Sequence, residues 1–305
     1  MALQAPVESC VAVVSASELG KDVYTNQNSL IGQDGVRSVS GCFLVGQALS
    51  AANATVRPAF LAYSSQSSFI RPARADTQEK VVYRVEQTAD GRTYATRIVH
   101  AFQGKACVYT AIISFQNNTA PVGNTLRYHT SKPEVDRNPE DISPQEVDRF
   151  NNFVIDKSVP VLNRTSDEMP FDWRFIGMDV ADKPSDFRLR AFVRSPPFST
   201  SNPSSHLAAL AYLSDEFLFG IAVVANPRAV GPRMRNITMA TSLNHSVSFH
   251  DPQVRVDDWL VVERETSWGD EGRVLVHQRM WNVSTGRMVL SGIQEALVRL
   301  KDAKL

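Results

Sequence analysis

A chain of 305 residues has room for about two domains of ordinary size and for a core that needs no disulfide or structural metal. Its 32 basic residues cancel 32 acidic ones and 43% of the chain is hydrophobic. That balance excludes the basic footprint of a nucleic-acid binder and the charged, apolar-poor composition of a disordered chain. Cys10, Cys42 and Cys107 form no CxxC pair, so neither a disulfide framework nor a zinc site is expected, and the composition reads as an intracellular globular protein.

Taken in chain order, the N-terminal stretch lacks the basic region of a signal peptide and carries Glu8 where such a peptide is most apolar. No run of 18 apolar residues marks a membrane span. Residues 8–16 are expected to supply a leading strand. An apolar helix is expected over VGQALSAANATV (45–56), then a strand over 64–72. An alternating strand follows at 80–87, with Val81, Tyr83 and Val85 on one face. After a turn at 89–92 come two more strands, the last carrying Gln116. The polar, proline-bearing stretch 117–170 reads as a linker with a short helix at 144–154. The same events then recur: a leading strand at 186–194, an apolar helix over 206–224, a strand at 245–252, an alternating strand at 258–265, a turn at 268–273 and two closing strands, the last with Gln294. The pairs Phe69/Phe249, Val82/Val261 and Gln116/Gln294 lie 180, 179 and 178 residues apart, a near-constant offset that marks an internal duplication. A long helix followed by antiparallel strands, twice over, is an α+β fold of two tandem repeats, each a sheet wrapped around a helix. The repeats occupy 1–116 and 171–305, with 117–170 between them. The chain ends Ala303-Lys304-Leu305, a close variant of the S-K-L peroxisomal address.

Eight segments carry a more specific signal: VGQAL at 45–49, SFIRP at 68–72, DGRTYATRIVHAFQGK at 90–105, ISFQ at 113–116, AYLSDEFL at 211–218, TSLNHSVSFHDP at 241–252, DDWLVVERE at 257–265 and IQEALVRL at 293–300. In this order and spacing the chain resembles the acyl-CoA thioesterase II family over roughly residues 20–300. The resemblance implies a double hot-dog fold and hydrolysis of an acyl-CoA thioester to free acid and CoA, without a covalent enzyme intermediate. It implies no metal or redox cofactor, CoA entering only as part of the substrate. It also implies a homo-oligomer and, with the terminal tripeptide, peroxisomal location through the import receptor, with the cytoplasm as the alternative. The catalytic trio it implies is Asp215 in YLSDEF, Ser242 in TSLNHS and Gln294 in GIQE. These residue types suit the task. A carboxylate accepts a proton from bound water, while a hydroxyl and an amide each donate and accept to orient it. Backbone N–H groups and the Gln294 amide are candidates for the oxyanion. Asp215 stands among Leu210, Leu213, Phe217 and Leu218 and Gln294 in an apolar strand, so both need partners. Ser242 counts only through its motif, and Gln116 reads as an echo of the duplication.

Three departures from the family pattern bear on substrate more than on fold. Asn244 replaces the aspartate before His245, removing a negative charge from histidine and substrate. Ser40-Gly41-Cys42 stands for Gly-Gly-Gln, and Tyr63-Ser64-Ser65-Gln66 for H-S-L-H. They point to a specialised acyl group, such as a product of secondary metabolism, or to lost activity. Substrate contacts are assigned to Arg71, Arg74 and His245, with Arg92 and Arg97 as further phosphate-binding candidates. His245 and His250 fall on opposite strand faces, away from any ligand cluster, which argues against a metal. Cys42 reads as a small buried hydrophobe and His206 as a surface or capping residue. The alternatives on this fold are acyl transfer to an alcohol or amine, hydration of an enoyl-CoA, and non-catalytic acyl-CoA binding. The hydratase wants a histidine beside its helix aspartate, which Asp215 lacks in sequence.

Overall fold

The computed structural model describes residues 4–30, 38–121, 123–142, 169–179 and 182–301. Within these, the first repeat supplies β1 (Val13–Ser15), β2 (Val23–Asn26), β3 (Phe60–Phe69), β4 (Val81–Asp90), β5 (Tyr94–Gln103) and β6 (Ala106–Asn117). The second supplies β7 (Asp172–Asp179), β8 (Arg188–Arg194), β9 (Ile237–Phe249), β10 (Leu260–Asp270), β11 (Arg273–Asn282) and β12 (Met288–Leu300). They form one antiparallel sheet in the order β1-β2-β4-β5-β6-β3-β9-β12-β11-β10-β8-β7. This is the double hot-dog expected from the sequence. The expected helix at 144–154 lies outside the described residues.

The leading strand of the first repeat is not where the sequence placed it. Pro6–Val11 is a helix, α1, because Pro6 opens its first turn and the Glu8 carboxylate accepts from the Ala5 N–H at 2.8 Å. Only β1 remains strand in 8–16, and β2 is the segment that pairs with β4, as β8 pairs with β10. The expected 206–224 helix is also divided. It begins as α3 (Pro203–Asp215), with Asn202 accepting from the Ser204 N–H at 3.1 Å, and stops because Phe217 adopts a left-handed φ of 54°. A short α4 (Gly220–Val224) follows.

The central helices α2 (Gly41–Asn53) and α3 lie side by side under the sheet and run antiparallel. Gly41 sits beside Asp215, and Gly46 beside Ala208 and Tyr212. A Cβ on Gly46 would come within 2.6 Å of Val11 Cγ1 and 3.2 Å of the Ala208 carbonyl, so glycine here sets how closely the helices pack. At the seam, β3 pairs with β9 with Gln66 opposite Ser246. These two are 180 residues apart, the repeat offset itself, so a pseudo-twofold axis passes through this pair. Both repeats also carry a strand irregularity at matching places, beside Tyr63 and beside Leu243.

Arg97 is part of this framework. Its guanidinium, 1% exposed, donates to the Thr55 hydroxyl and carbonyl, to the carbonyls of Ala89 and Thr96, and to Asp90 Oδ1 at 2.7 Å. It satisfies the Thr55 carbonyl just past the end of α2, where the helix dipole favours a cation. This corrects its reading as a phosphate ligand, since every N–H is already committed. Arg97→Leu is expected to cost ~2 kcal/mol in denaturant unfolding, because it removes the donor shared by the half-buried Thr55 and Thr96 groups and by Ala89 and Asp90. A variant as stable as the parent would contradict the assignment.

Candidate active site

Asp215 ends α3, and its carboxylate turns toward the sheet, where β12 presents Gln294. The Gln294 Nε2 donates to Asp215 Oδ1 at 2.5 Å, with both side chains buried. A carboxylate only accepts, which fixes the amide with its NH2 toward the acid and its Oε1 facing away. That Oε1 is buried without a hydrogen-bond partner. Ser242 stands on β9 opposite Ala296, which shares a sheet face with Gln294. The irregularity at Leu243 keeps Ser242 and His245 on that same inward face. The structure therefore joins two of the three predicted residues directly and puts Ser242, half-buried, at the next inward-facing position along β9. No hydrogen bond links its hydroxyl to the other two.

The electrostatics follow from burial. Desolvation raises the Asp215 pKa to about 6, against the opposing pull of the Gln294 hydrogen bond and of Arg264. Arg264 lies under the end of α3. It donates to the carbonyls of Glu216 at 2.8 Å and Leu213 at 3.4 Å, and its guanidinium sits 5.0 Å from the centre of the Trp173 ring. Burial lowers its pKa to about 10, which leaves it cationic at neutral pH. Trp173 Nε1 donates to the Glu216 carboxylate at 3.0 Å, and Gln278 Nε2 to the Ser214 carbonyl at 2.5 Å. The end of α3 is thus pinned by three groups from other strands. Arg264, Gln278 and Trp173 went unread in the sequence, although Arg264 and Gln278 are polar residues in the inward phase of apolar strands.

The first repeat closes the site from the other side. Ser40 precedes α2, so the N–H groups of Gly41 and Cys42 open the helix and have no intrahelical acceptor. A Cβ on Gly41 would fall 2.6 Å from Asp215 Oδ2 and 2.6 Å from Phe69 Cε1. The start of one repeat's helix therefore meets the end of the other's at the carboxylate. Cys42 is buried, as expected, and burial followed by the nearby Asp215 and Glu216 charges pushes its thiol pKa well up.

The mirrored position in the first repeat holds none of these groups. Register places Ser65 on Ile113 as it places His245 on Gln294, and Ala62 on Phe115 as Ser242 on Ala296. Asn53 ends α2 where Asp215 ends α3. Ile113, Ala62 and Asn53 thus occupy the trio's counterpart positions. Gln116, the expected echo of Gln294, instead lies in the outward phase of β6.

The remaining predicted residues divide. His245 is buried opposite Gln294, and desolvation lowers its pKa to about 4, so it is neutral at working pH. Arg71 is exposed, and Arg74 is exposed with its guanidinium already engaged by both oxygens of Asp76 at 2.9 Å. No described contact joins either arginine to His245. His206 is not a surface residue. It is 1% exposed, stacks on Phe198 at 4.3 Å, and its Nδ1 accepts from the Val256 N–H at 3.4 Å. Asn244 faces away from the site, with its amide donating to Glu295 Oε2 at 2.7 Å. The charge missing there therefore does not bear on the site face. An aspartate at this position would oppose the Glu295 carboxylate, so asparagine is the fitting partner.

Comparison with known proteins agrees with this architecture. A family model described as the acyl-CoA thioesterase C-terminal domain matches residues 139–298, and one described as the acyl-CoA thioesterase N-terminal domain matches residues 33–116. Acyl-coenzyme A thioesterase 8 of Rattus norvegicus is 26% identical over 298 residues, spanning 95% of this chain and 88% of the rat protein. Peroxisomal acyl-coenzyme A thioester hydrolase 1 of Saccharomyces cerevisiae is 22% identical over 313 residues, spanning 87% of this chain and 86% of the yeast protein. The crystal structure of the acyl-CoA thioesterase II TesB2 from Mycobacterium marinum shares the fold, with a TM-score of 0.73 at 23% identity over 98% of this chain and 99% of that one.

Proposed function

The chain belongs to the acyl-CoA thioesterase II family of double hot-dog enzymes, which hydrolyse acyl-CoA thioesters, and from that premise we propose that Asp215, Gln294 and Ser242 hold and activate the attacking water. The observation that carries this reading is the buried Asp215–Gln294 pair, which leaves Gln294 Oε1 without a partner. Asp215 Oδ2 and Gln294 Oε1 are two acceptors for the two protons of one water, and the Ser242 hydroxyl is a donor to its oxygen. Asp215 takes a proton as the water oxygen bonds to the thioester carbon, opening the C=O double bond into an oxyanion. The free N–H groups of Gly41 and Cys42 at the start of α2 receive that charge. Collapse re-forms the carbonyl and breaks the C–S bond. The proton held by Asp215 then passes to the leaving thiolate, giving free acid and CoA. No bond to the enzyme forms at any stage.

The test is release of free thiol from a panel of acyl-CoAs spanning short, long, branched and aromatic acyl groups. Only the ionised Asp215 is a base, and burial has raised its pKa to about 6. Activity is therefore present above that value and lost as pH falls through it. kcat/KM is expected to drop about tenfold per pH unit below about 6. A profile flat down to pH 4.5 would remove Asp215 from the role of base, and no turnover of any acyl-CoA would remove hydrolysis.

We also place the enzyme in the peroxisome. The terminal Ala303-Lys304-Leu305, outside the described residues, and the peroxisomal name of the yeast relative support that location. Cytosolic retention of a fluorescent fusion ending in these three residues would argue against it.

A further inference from the structure

Behind the reacting carboxylate, on the first-repeat side, lies a phenol that the hydrolysis above does not use. Tyr109 on β6 points inward toward α2 and is wholly buried, and its Oη has no hydrogen-bond partner. The Ser67 hydroxyl lies beside it, close enough to bear on the phenol's titration. Its own proton goes to the His245 carbonyl at 3.1 Å, and no hydrogen bond of ordinary distance and angle joins it to Oη.

A comparison two strands over shows what this fold does with a buried phenol it has no other use for. Tyr83, Ala101, Tyr109 and Phe69 stand on one rung of the sheet, across β4, β5, β6 and β3. Tyr83 is just as buried, yet it donates to Gln47 Oε1 at 2.7 Å, and the Gln47 amide in turn donates to the Cys10 carbonyl at 2.8 Å. Tyr109, two positions along the same rung, is left with its donor open.

Its position relative to the site is set by Phe69. The Phe69 ring stands 5.3 Å from the Tyr109 ring on one side, and on the other it reaches the spot beside Gly41 that Asp215 Oδ2 also borders. Tyr109 is thus one side chain removed from the carboxylate. The phosphates of CoA stay in water, so the CoA arm of the substrate leaves the site toward solvent. The side bordered by Phe69 and Tyr109 is the apolar one, and it is there that an acyl group would lie. In that apolar surrounding an open donor selects for an acceptor, because a plain alkyl chain leaves it unpaired.

We propose that Tyr109 reads the acyl group, its hydroxyl donating to an oxygen carried on the acyl chain near the thioester, so that hydroxy- or oxo-acyl-CoAs are preferred over plain alkanoyl ones. This rests on the hydrolytic reading above and assigns its substrate class. Tyr109 is a specificity residue here, because it meets the substrate away from the bonds that change.

The experiment separates the two readings by measuring binding without turnover. Asp215→Asn protein is titrated by calorimetry with the matched pairs butanoyl-CoA and 3-hydroxybutanoyl-CoA, and octanoyl-CoA and 3-hydroxyoctanoyl-CoA. The hydroxyacyl member of each pair is expected to bind at least ~10-fold more tightly. Adding Tyr109→Phe should bring the ratio to within about twofold, through loss on the hydroxyacyl member alone. The melting temperature should not fall, since Phe fills the same space and removes an unpaired hydroxyl. Equal affinities within each pair would overturn the proposal. So would an equal loss on both members in the Tyr109→Phe background, which would put the phenol on the thioester carbonyl. A wild-type enzyme that turns over no acyl-CoA would instead defeat the hydrolytic reading, and the binding ratio would still decide Tyr109.

Discussion

Replacing Asp215 with asparagine is expected to cut kcat at least ~10²-fold while making the protein more stable at neutral pH, not less. The loss of rate follows from the missing base, since an amide cannot take the proton of the attacking water. The gain in stability follows from burial. The carboxyl pKa rises from an ordinary 3.8 to about 6 in the folded protein, so keeping the group ionised at pH 7 costs up to ~3 kcal/mol relative to the unfolded chain. The sign is that of a raised acid. Its favourable contribution is complete below pH 3.8 and is lost as pH rises through about 6. Asparagine keeps an acceptor for the Gln294 amide and carries no charge to bury. The difference in melting temperature between variant and parent should therefore be largest above pH 6 and close toward pH 4. Calorimetric scans across that range check it, alongside thiol release at pH 7.5. A variant less stable than the parent at neutral pH would mean that the ionised carboxylate is held by favourable contacts stronger than its desolvation. Retained turnover would remove it from the chemistry.

Much of this arrangement could be read from the chain because duplication repeats a pattern, and patterns are local. The 180-residue offset gave the two repeats, and alternation gave the inward phase of β4, where Val81, Tyr83 and Val85 are buried. Asp215 and Gln294 stood out because each is polar where its neighbours are apolar, and such residues need partners. Arg264 and Gln278 carry the same signal, but their roles depend on carbonyls at the end of α3, which no spacing announces. Gln116 was aligned with Gln294 by residue type. Cross-strand register instead sets Ile113 in that place, a three-residue shift that reverses the face. Asn244 reads as a lost charge in the sequence alone, because its partner Glu295 lies across the strand pair and 51 residues away. His206 reads as a surface or capping residue because it begins the expected helix, yet the loop carrying Phe198 folds back and buries it. In each case the missing information was a contact between segments far apart in sequence.

Gly41→Ala is the second substitution expected to have a large effect, and it tests whether the site belongs to both repeats. The added methyl would lie 2.6 Å from Asp215 Oδ2, 2.6 Å from Phe69 Cε1 and 3.0 Å from Phe69 Cζ, distances that carbon does not tolerate. The Phe69 ring can tilt, but the carboxylate is held on its other oxygen by Gln294. Relief therefore comes from displacing Asp215 or the start of α2, and either change moves the base relative to the N–H donors that face the oxyanion. A misplacement of about 1 Å at reacting groups costs ~10²-fold in rate, so kcat should fall by that order. Gly46→Ala is the matched control, five residues along α2 and nearer its middle. Its methyl would press on Val11, Tyr212 and the Ala208 carbonyl, none of which takes part in the chemistry. It should lower the melting temperature by strain between the helices and leave kcat of the folded fraction near the parent value. Both variants gain the better helix propensity of alanine, worth up to ~1 kcal/mol, so that term does not separate them. If Gly41→Ala instead loses stability and keeps its rate, the start of α2 is only a packing contact, and the oxyanion donors must be sought among the second repeat's own groups, with the Gln294 amide foremost.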